Sequence, residues 1–418
     1  MDSDTLITIG DGGVIRLDDV LGRCFGLLPG TEWTLEQAED GLRLRRRADD
    51  PRKVYIEATN ACNLSCRTCI RNVWQEPLGI MSDATFARVL EQIQALPSVR
   101  TVHFGGFGEP LGHPRIFEML HAVKALGLRT ELITNGTLLD EAHCDRLVAA
   151  DLDLLVVSID GAREPTNDGI RLGSELNVVL RNLNNLSAAR YRVRKRKPDL
   201  GLSFVAMKDN LEELLELKNM AAQLRVSFIM VTNVLAHTEE LREQMLYGTL
   251  TATSQRRSPK PSRQDALVML PRIDFTERTT EVIRRLIHAP GNVQFAGLNL
   301  NGAVHYCRFV QEDNVFVRWD GEVAPCMALL HSYPTFSLRG EKRIVAHSFG
   351  SIHARTLGEI WAGQEYRDFR TRVRKFDFAP CVDCGGCEMA DSNRQDCFGN
   401  PAPVCGDCLW AQGIIQCP

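Results

Sequence analysis

The chain has 418 residues, room for two or three domains, and its 44% hydrophobic and 24% charged residues are the balance of a folded globular protein rather than a disordered one. Lys+Arg 49 against Asp+Glu 53 leaves a net charge of −4, which excludes a polybasic nucleic-acid coat and an acidic tail. No apolar run has the length of a membrane helix, and the opening MDSDTLITIG lacks the basic and apolar regions of a signal peptide, so a cytoplasmic protein with no membrane association is expected.

Residues 1–48 read as a small β module. TLITIGDGGVIRL alternates around the turn Asp11-Gly12-Gly13, and a second hairpin signal lies at Asp40-Gly41. So short a segment has little core of its own and must dock or dimerise. Residues 52–300 then alternate strand-like runs (53–59, 101–106, 129–134, 153–160, 202–207, 226–231) with helical stretches, the first opening at Ser82 as N-cap. Six βα units predict an α/β fold with a parallel sheet, short of the eight units that close a full barrel. An open, partial (β/α)6 barrel is the expectation. Residues 238–275, rich in Ser, Thr, Pro and Arg, read as a loop insertion, followed by a helix over TERTTEVIRRLIHA. Residues 301–418 are expected to form a separate Cys-rich, turn-rich domain with little periodicity, held by metal rather than by a core. The basic run Arg190–Lys197 reads as a solvated helix end.

Cysteine is the anomaly: 14 residues, of which seven fall in the last 38 positions and three within 62–69. In a cytosolic chain such clustering points to metal. Cys62, Cys66 and Cys69 follow the first barrel strand directly. Three thiolates on a four-iron cube leave one iron open to a small molecule. A zinc site is the alternative and needs a fourth ligand, for which His103 is the nearest candidate. The later thiols are Cys307, Cys326, Cys381, Cys384, Cys387, Cys397, Cys405, Cys408 and Cys417. Two fully held [4Fe–4S] clusters or two zinc ribbons would each need about eight ligands, so counting does not choose. Cys24 and Cys144 lie in apolar contexts and read as core.

The Cys-x3-Cys-x2-Cys spacing after the first strand of a βα repeat resembles the radical SAM superfamily. That resemblance implies a [4Fe–4S] cluster on Cys62, Cys66 and Cys69 whose open iron is chelated by S-adenosyl-L-methionine (SAM). Reductive cleavage then releases a 5′-deoxyadenosyl radical. The run Gly105-Gly106-Phe107-Gly108-Glu109-Pro110 is similar to the family's SAM-amine motif, with Phe107 where a glycine is usual. Its cofactor contacts would be Gly106, Gly108, Glu109 and Pro110. Thr134 and Asn135 end the third strand, and Ser158 and Asp160 the fourth, where the resemblance places the ribose and the methionine carboxylate. Taken singly, each also reads as an ordinary turn or cap residue. Thr68 stands where an aromatic residue is usual.

Cys307-x13-Gly321-x4-Cys326 and the later thiols resemble the SPASM extension, which implies two auxiliary [4Fe–4S] clusters. The close Cys384–Cys387 spacing and the extra Cys405-x2-Cys408 depart from it. The tail and the architecture resemble the radical SAM maturases of tungsten-containing aldehyde oxidoreductases. Residues 5–47 resemble an AbrB-type swapped hairpin, which implies a homodimer; its basic surface is too thin to favour DNA. The expected function is therefore radical maturation of a tungsten oxidoreductase or its cofactor. The alternatives are a peptide-modifying enzyme and a redox-sensing DNA-binding regulator. The expected partners are a peptide, protein or cofactor-precursor substrate and a reductase or ferredoxin as electron donor.

Overall fold

The computed structural model describes residues 50–247, 307–337, 340–379, 381 and 387–417, together with four short strands and four single positions outside them. The chain divides into two compact units, Met1–Asp49 and Asp50–Pro418. In the first, β1 (Trp33–Ala38) and β2 (Gly41–Arg46) pair antiparallel, with Ala38 opposite Gly41. This is the hairpin expected at Asp40-Gly41; the one expected around Asp11-Gly12-Gly13 lies outside the described residues.

The second unit is built on a ten-stranded sheet. The six expected strands are present as β3 (Lys53–Ile56), β4 (Thr101–Phe104), β5 (Arg129–Thr134), β6 (Leu154–Ser158), β7 (Asp199–Ala206) and β8 (Phe228–Asn233). They pair in chain order, all parallel. Val54, Ile56, Val102, Phe104, Leu132, Leu155, Val157, Leu202, Phe204, Ile229 and Val231 are all buried along them. A parallel sheet covered on both faces requires such runs of branched apolar residues. Helices α1 (Asp83–Gln94), α2 (Ile116–Ala125), α3 (Glu141–Ala149) and α6 (Leu214–Gln223) connect its strands. Ser82 caps α1 by accepting from Thr85 N at 3.1 Å, and Phe86, Val89 and Ile93 are buried at helical spacing.

The sheet is wider than six strands. At one edge β9 (Leu267–Leu270) and β10 (Asn292–Phe295) add in parallel. At the other, β11 (Asn314–Val317) lies parallel to β3, and β12 (Val323–Ala324) closes antiparallel. The reading of 238–275 as one loop is thus corrected: it contains helix α7 (Glu239–Glu243) as well as β9. Leu267–Leu270 is a four-residue apolar run, too short to outweigh the polar stretch before it until β8 supplies a pairing edge. Most of the helix expected over TERTTEVIRRLIHA lies outside the described residues. Between β6 and β7, helix α4 (Glu164–Ile170) was not expected; it precedes the expected α5 (Leu176–Arg192).

The C-terminal region is also more regular than its composition suggests, and opens with the short helix α8 (Arg308–Gln311). β13 (Tyr333–Ser337) and β14 (Gly340–Ile344) form a hairpin, and two helices follow, α9 (Leu357–Ala362) and α10 (Gln364–Lys375). Thr356 and Glu359 form a reciprocal capping box for α9. On α10, Tyr366, Phe369, Arg370 and Val373 are buried at a helical period. This region packs on the barrel: Gln92 of α1 donates to Ile352 O at 3.2 Å and accepts from Leu357 N at 2.7 Å. Cys144 is fully buried, as a core residue should be.

Candidate functional site

Strand β3 delivers the chain to the loop bearing Cys62, Cys66 and Cys69, all three partly buried. The loop is held from several sides. Ser65 N donates to Leu172 O at 3.0 Å and Arg67 N to Ile170 O at 2.8 Å. The Arg71 guanidinium donates to Leu64 O at 2.9 Å and Asn60 O at 3.3 Å. Cys66 lies within electrostatic range of both other thiols, and burial, against the Arg171 cation, pushes it up to about 11; burial also raises Cys62. Such thiols release their protons when iron binds. His103 is engaged elsewhere: its ring packs on Tyr55 and its Nδ1 lies 3.3 Å from Glu131, in the buried layer of the sheet.

The glycine-rich segment after β4 lies directly against this loop. Glu109 N donates to Ala61 O at 2.8 Å. A Cβ on Gly108 would stand 2.2 Å from Thr59 O and 2.6 Å from Ala61 O, so only glycine permits this approach. A Cβ on Gly106 would strike the Glu57 side chain at 2.7 Å. Pro110 opens a short 3₁₀ turn capped by Glu109. The buried Glu109 carboxylate accepts from Leu111 N at 3.0 Å, Thr134 Oγ1 at 2.7 Å and Asn135 N at 2.7 Å. Burial raises its pKa against those bonds. A carboxylate has about four acceptor sites, so one remains for an ammonium group. Asn135 Nδ2 in turn donates to Asn63 Oδ1 at 2.9 Å and reaches Cys62 Sγ at 3.7 Å. Thr134, Asn135 and Glu109 therefore act as one unit that ties the ends of β4 and β5 to the cysteine loop.

At the end of β6, Ser158 is half-buried opposite Ser203. Asp160 is fully buried and accepts from Val205 N at 2.9 Å and from Arg171 Nη1 at 2.8 Å. Sequence reasoning missed Arg171. It is 8% exposed, its Nε has no partner among the described residues, and Asp160, Cys66 and Cys62 hold its pKa up against burial. No local pattern singles it out; its role comes from the turn after α4 that brings it under the cysteine loop.

A second missed group lies beside Phe107. His331 is 0% exposed and bridges two carboxylates, with Nε2 3.0 Å from Glu57 Oε1 and Nδ1 2.6 Å from Glu76 Oε2. The two glutamates, against burial, push His331 up to about 9, so it is an imidazolium at neutral pH. Trp74 and Phe107 pack on its ring at 4.2 and 5.8 Å. Glu57 also accepts from Phe107 N at 3.3 Å. His331 is distant in sequence from both glutamates, so no spacing could announce the group.

The described C-terminal cysteines are free thiols that fall into groups. Cys307, Cys326, Cys405 and Cys408 interact electrostatically, and burial raises all four. Cys326, Cys405 and Cys408 line one cavity with Tyr333, Lys342 and Trp410. Cys381 has Cys397 within electrostatic range; Cys387 and Cys397 are exposed, and Cys384 lies outside the described residues. Cys417 is engaged differently. Its sulfur accepts from Trp410 Nε1 at 3.2 Å and lies 3.4 Å from Met327 Sδ. The tail around it is anchored on β8, with Asn233 Nδ2 donating to Ile414 O at 2.9 Å.

Residues 56–221 match the model of the radical SAM superfamily, and residues 307–388 match that of an iron–sulfur cluster-binding domain, SPASM. The chain is 30% identical over 369 residues to the tungsten-containing aldehyde ferredoxin oxidoreductase cofactor-modifying protein of Pyrococcus furiosus, covering 87% of this chain and 96% of that protein. The chain belongs to the radical SAM superfamily. As a radical SAM protein with a SPASM extension, it uses a [4Fe–4S] cluster with SAM and carries auxiliary iron–sulfur clusters. It is also 31% identical over 190 residues to the PqqA peptide cyclase of Gluconobacter oxydans, covering 45% of this chain and 50% of that one. The fold is similar to that of SuiB from Streptococcus suis bound to its precursor peptide SuiA, with a TM-score of 0.54 at 16% identity over 77% of this chain and 67% of that one. Among the described residues no helix is long and apolar enough to cross a membrane.

Proposed function

We propose that this radical SAM protein is a maturase that modifies the cofactor of a tungsten-containing aldehyde oxidoreductase. The observation that carries this reading is the alignment with the Pyrococcus furiosus cofactor-modifying protein, which runs through 96% of that chain, whereas the peptide cyclase is matched over 50% of its length. A peptide substrate is the second reading, favoured by that 31% identity. The protein would work in the cytoplasm with a ferredoxin or reductase as electron donor, and residues 1–48 would form a dimerising module, separate from a barrel domain at 52–300 and an auxiliary domain at 301–418.

In this reading Cys62, Cys66 and Cys69 hold the SAM cluster. Three thiol donors and one vacant position suit a cube whose fourth iron takes the cofactor. The bound cluster and SAM supply the 5′-deoxyadenosyl radical, and the protein supplies placement. Asn135 fixes the Cys62 sulfur, and Glu109 offers its remaining acceptor site to the SAM ammonium. Arg171, with its unpartnered Nε, offers a cation to the carboxylate. Gly106, Gly108 and Pro110 shape the wall, and Ser158 and Asp160 close the ribose side. Cys307, Cys326, Cys405 and Cys408 hold one auxiliary cluster; Cys381, Cys384, Cys387 and Cys397 hold a second. Cys417 remains a hydrogen-bonded thiol next to the first.

Anaerobic reconstitution of the wild type and a Cys62/Cys66/Cys69→Ala variant tests the assignment. About twelve irons per chain, falling by about four in the variant, are expected. 5′-Deoxyadenosine should appear with SAM and dithionite in the wild type alone. Supplying an immature tungsten oxidoreductase should raise its yield; a response to a precursor peptide instead would favour the second reading.

A further inference from the structure

Two polar side chains on α10 are buried without adequate partners. Tyr366 is 1% exposed, and its hydroxyl has no hydrogen-bond partner among the described residues. Arg370, one turn further on and 3% exposed, donates Nη2 to Trp361 O at 3.0 Å, while its Nε and Nη1 have no partner. A buried polar group left unsatisfied destabilises the fold, a charged one most of all. Such groups in a folded protein therefore call for an acceptor.

Neither side chain is free to turn away. The Tyr366 ring stacks on Phe349 with centroids 4.1 Å apart and planes at 7°, and Trp361 meets it edge-on at 5.2 Å. The Arg370 guanidinium lies 3.7 Å from the Trp361 ring centroid and 4.5 Å from that of Tyr366. Burial brings Arg370 down to about 10, which still leaves it a cation at neutral pH. After burial and Arg370 itself, the groups acting most on the phenol are the thiols of Cys326 and Cys307. The orphaned phenol thus lies within electrostatic range of the thiol pair that opens the auxiliary region, with the Arg370 cation on its far neighbour Trp361 and 4.5 Å from its own ring.

We infer that the Tyr366 hydroxyl donates a hydrogen bond to a sulfur atom of the auxiliary cluster held by Cys307, Cys326, Cys405 and Cys408, with Arg370 as the positive charge behind it, and that the two thereby raise its reduction potential. The inference rests on the auxiliary-cluster assignment above. Thiolate and sulfide sulfur would supply the acceptor that the Tyr366 hydroxyl lacks among the described residues. Hydrogen bonds to cluster sulfurs and nearby positive charge favour the reduced, more negative form of a cluster. Tyr366 and Arg370 are positioning residues: they act through the cluster and touch no substrate.

The test uses full-length protein reconstituted anaerobically as wild type, Tyr366→Phe and Cys307→Ser/Cys326→Ser. Iron and sulfide are counted, midpoint potentials are taken from EPR-monitored redox titrations, and exchangeable-proton couplings from pulsed EPR in H2O and D2O. Tyr366→Phe removes only the hydroxyl and keeps the stacked ring. It should keep the wild-type iron content, move one auxiliary midpoint to a more negative potential, remove one exchangeable-proton coupling, and leave the barrel cluster unchanged. An unchanged midpoint and coupling at full iron content would overturn the inference while leaving the cluster assignment standing. Wild-type iron content in the double cysteine variant would overturn the assignment and the inference together.

Discussion

The buried Glu57–His331–Glu76 group makes a quantitative prediction about stability and pH. The imidazole is raised from 6.5 to about 9 by carboxylates that meet both ring nitrogens. At about 1.4 kcal/mol per pH unit, that displacement is worth about 3 kcal/mol. Glu76 is half-buried and also meets Arg318, so we discount its share to solvent screening and expect about 2–3 kcal/mol. Because the folded pKa is raised above the unfolded one, this stability is fully present below pH 6.5 and is lost as pH rises through about 9. His331→Gln keeps a polar side chain of similar length but leaves Glu57 buried without its cation, a change that costs about 3–5 kcal/mol at neutral pH. Anaerobic urea denaturation of the wild type and His331→Gln, followed by tryptophan fluorescence from pH 6 to pH 10, isolates the effect as a difference. The gap between the two proteins should be largest near pH 6 and narrow by about 2–3 kcal/mol by pH 10. A gap that stays constant or widens with pH would refute the imidazolium bridge.

Other substitutions probe the remaining contacts. Gly108→Ala places a methyl group 2.2 Å from Thr59 O, which forces the cysteine loop aside by about 1 Å; deoxyadenosine formation should fall about 100-fold, and a wild-type rate would sink the close-approach argument. Arg171→Met leaves Asp160 buried without its cation and should destabilise the fold by about 3–5 kcal/mol. The double change Arg171→Met/Asp160→Leu should recover much of that stability while SAM binding, read by calorimetry, stays weak. Cys408→Ser should lose about four irons and Cys417→Ser none; equal losses would place Cys417 among the ligands. Thr356→Ala removes the capping box of α9 and should lower stability by about 1 kcal/mol, seen as a shift of the urea midpoint.

Sequence alone was enough to order the six parallel strands, because each is a short run of branched apolar residues between turn signals. It also located the cysteine loop, since Cys62, Cys66 and Cys69 are local in sequence and follow a strand end. The helix at Ser82 and the turn at Asp40-Gly41 were legible for the same reason: their signals lie within a few residues. The capping box Thr356–Glu359 was equally local, but the neighbouring cysteines drew the reading toward irregular structure.

What remained hidden depends on distance along the chain. β9 is four residues long and becomes a strand only because β8 offers a free edge. Glu57, Glu76 and His331 meet only when the C-terminal region packs on the barrel mouth, and Arg171 acquires its role only when the turn after α4 lies under the cysteine loop. The count of nine C-terminal thiols is written in the sequence. Their grouping is not: Cys307 and Cys326 come from one end of the region and Cys405 and Cys408 from the other, and only folding closes that distance. Local signals specify which ligands and strands exist; tertiary packing decides which of them share a site, because burial and electrostatics act through space rather than along the chain.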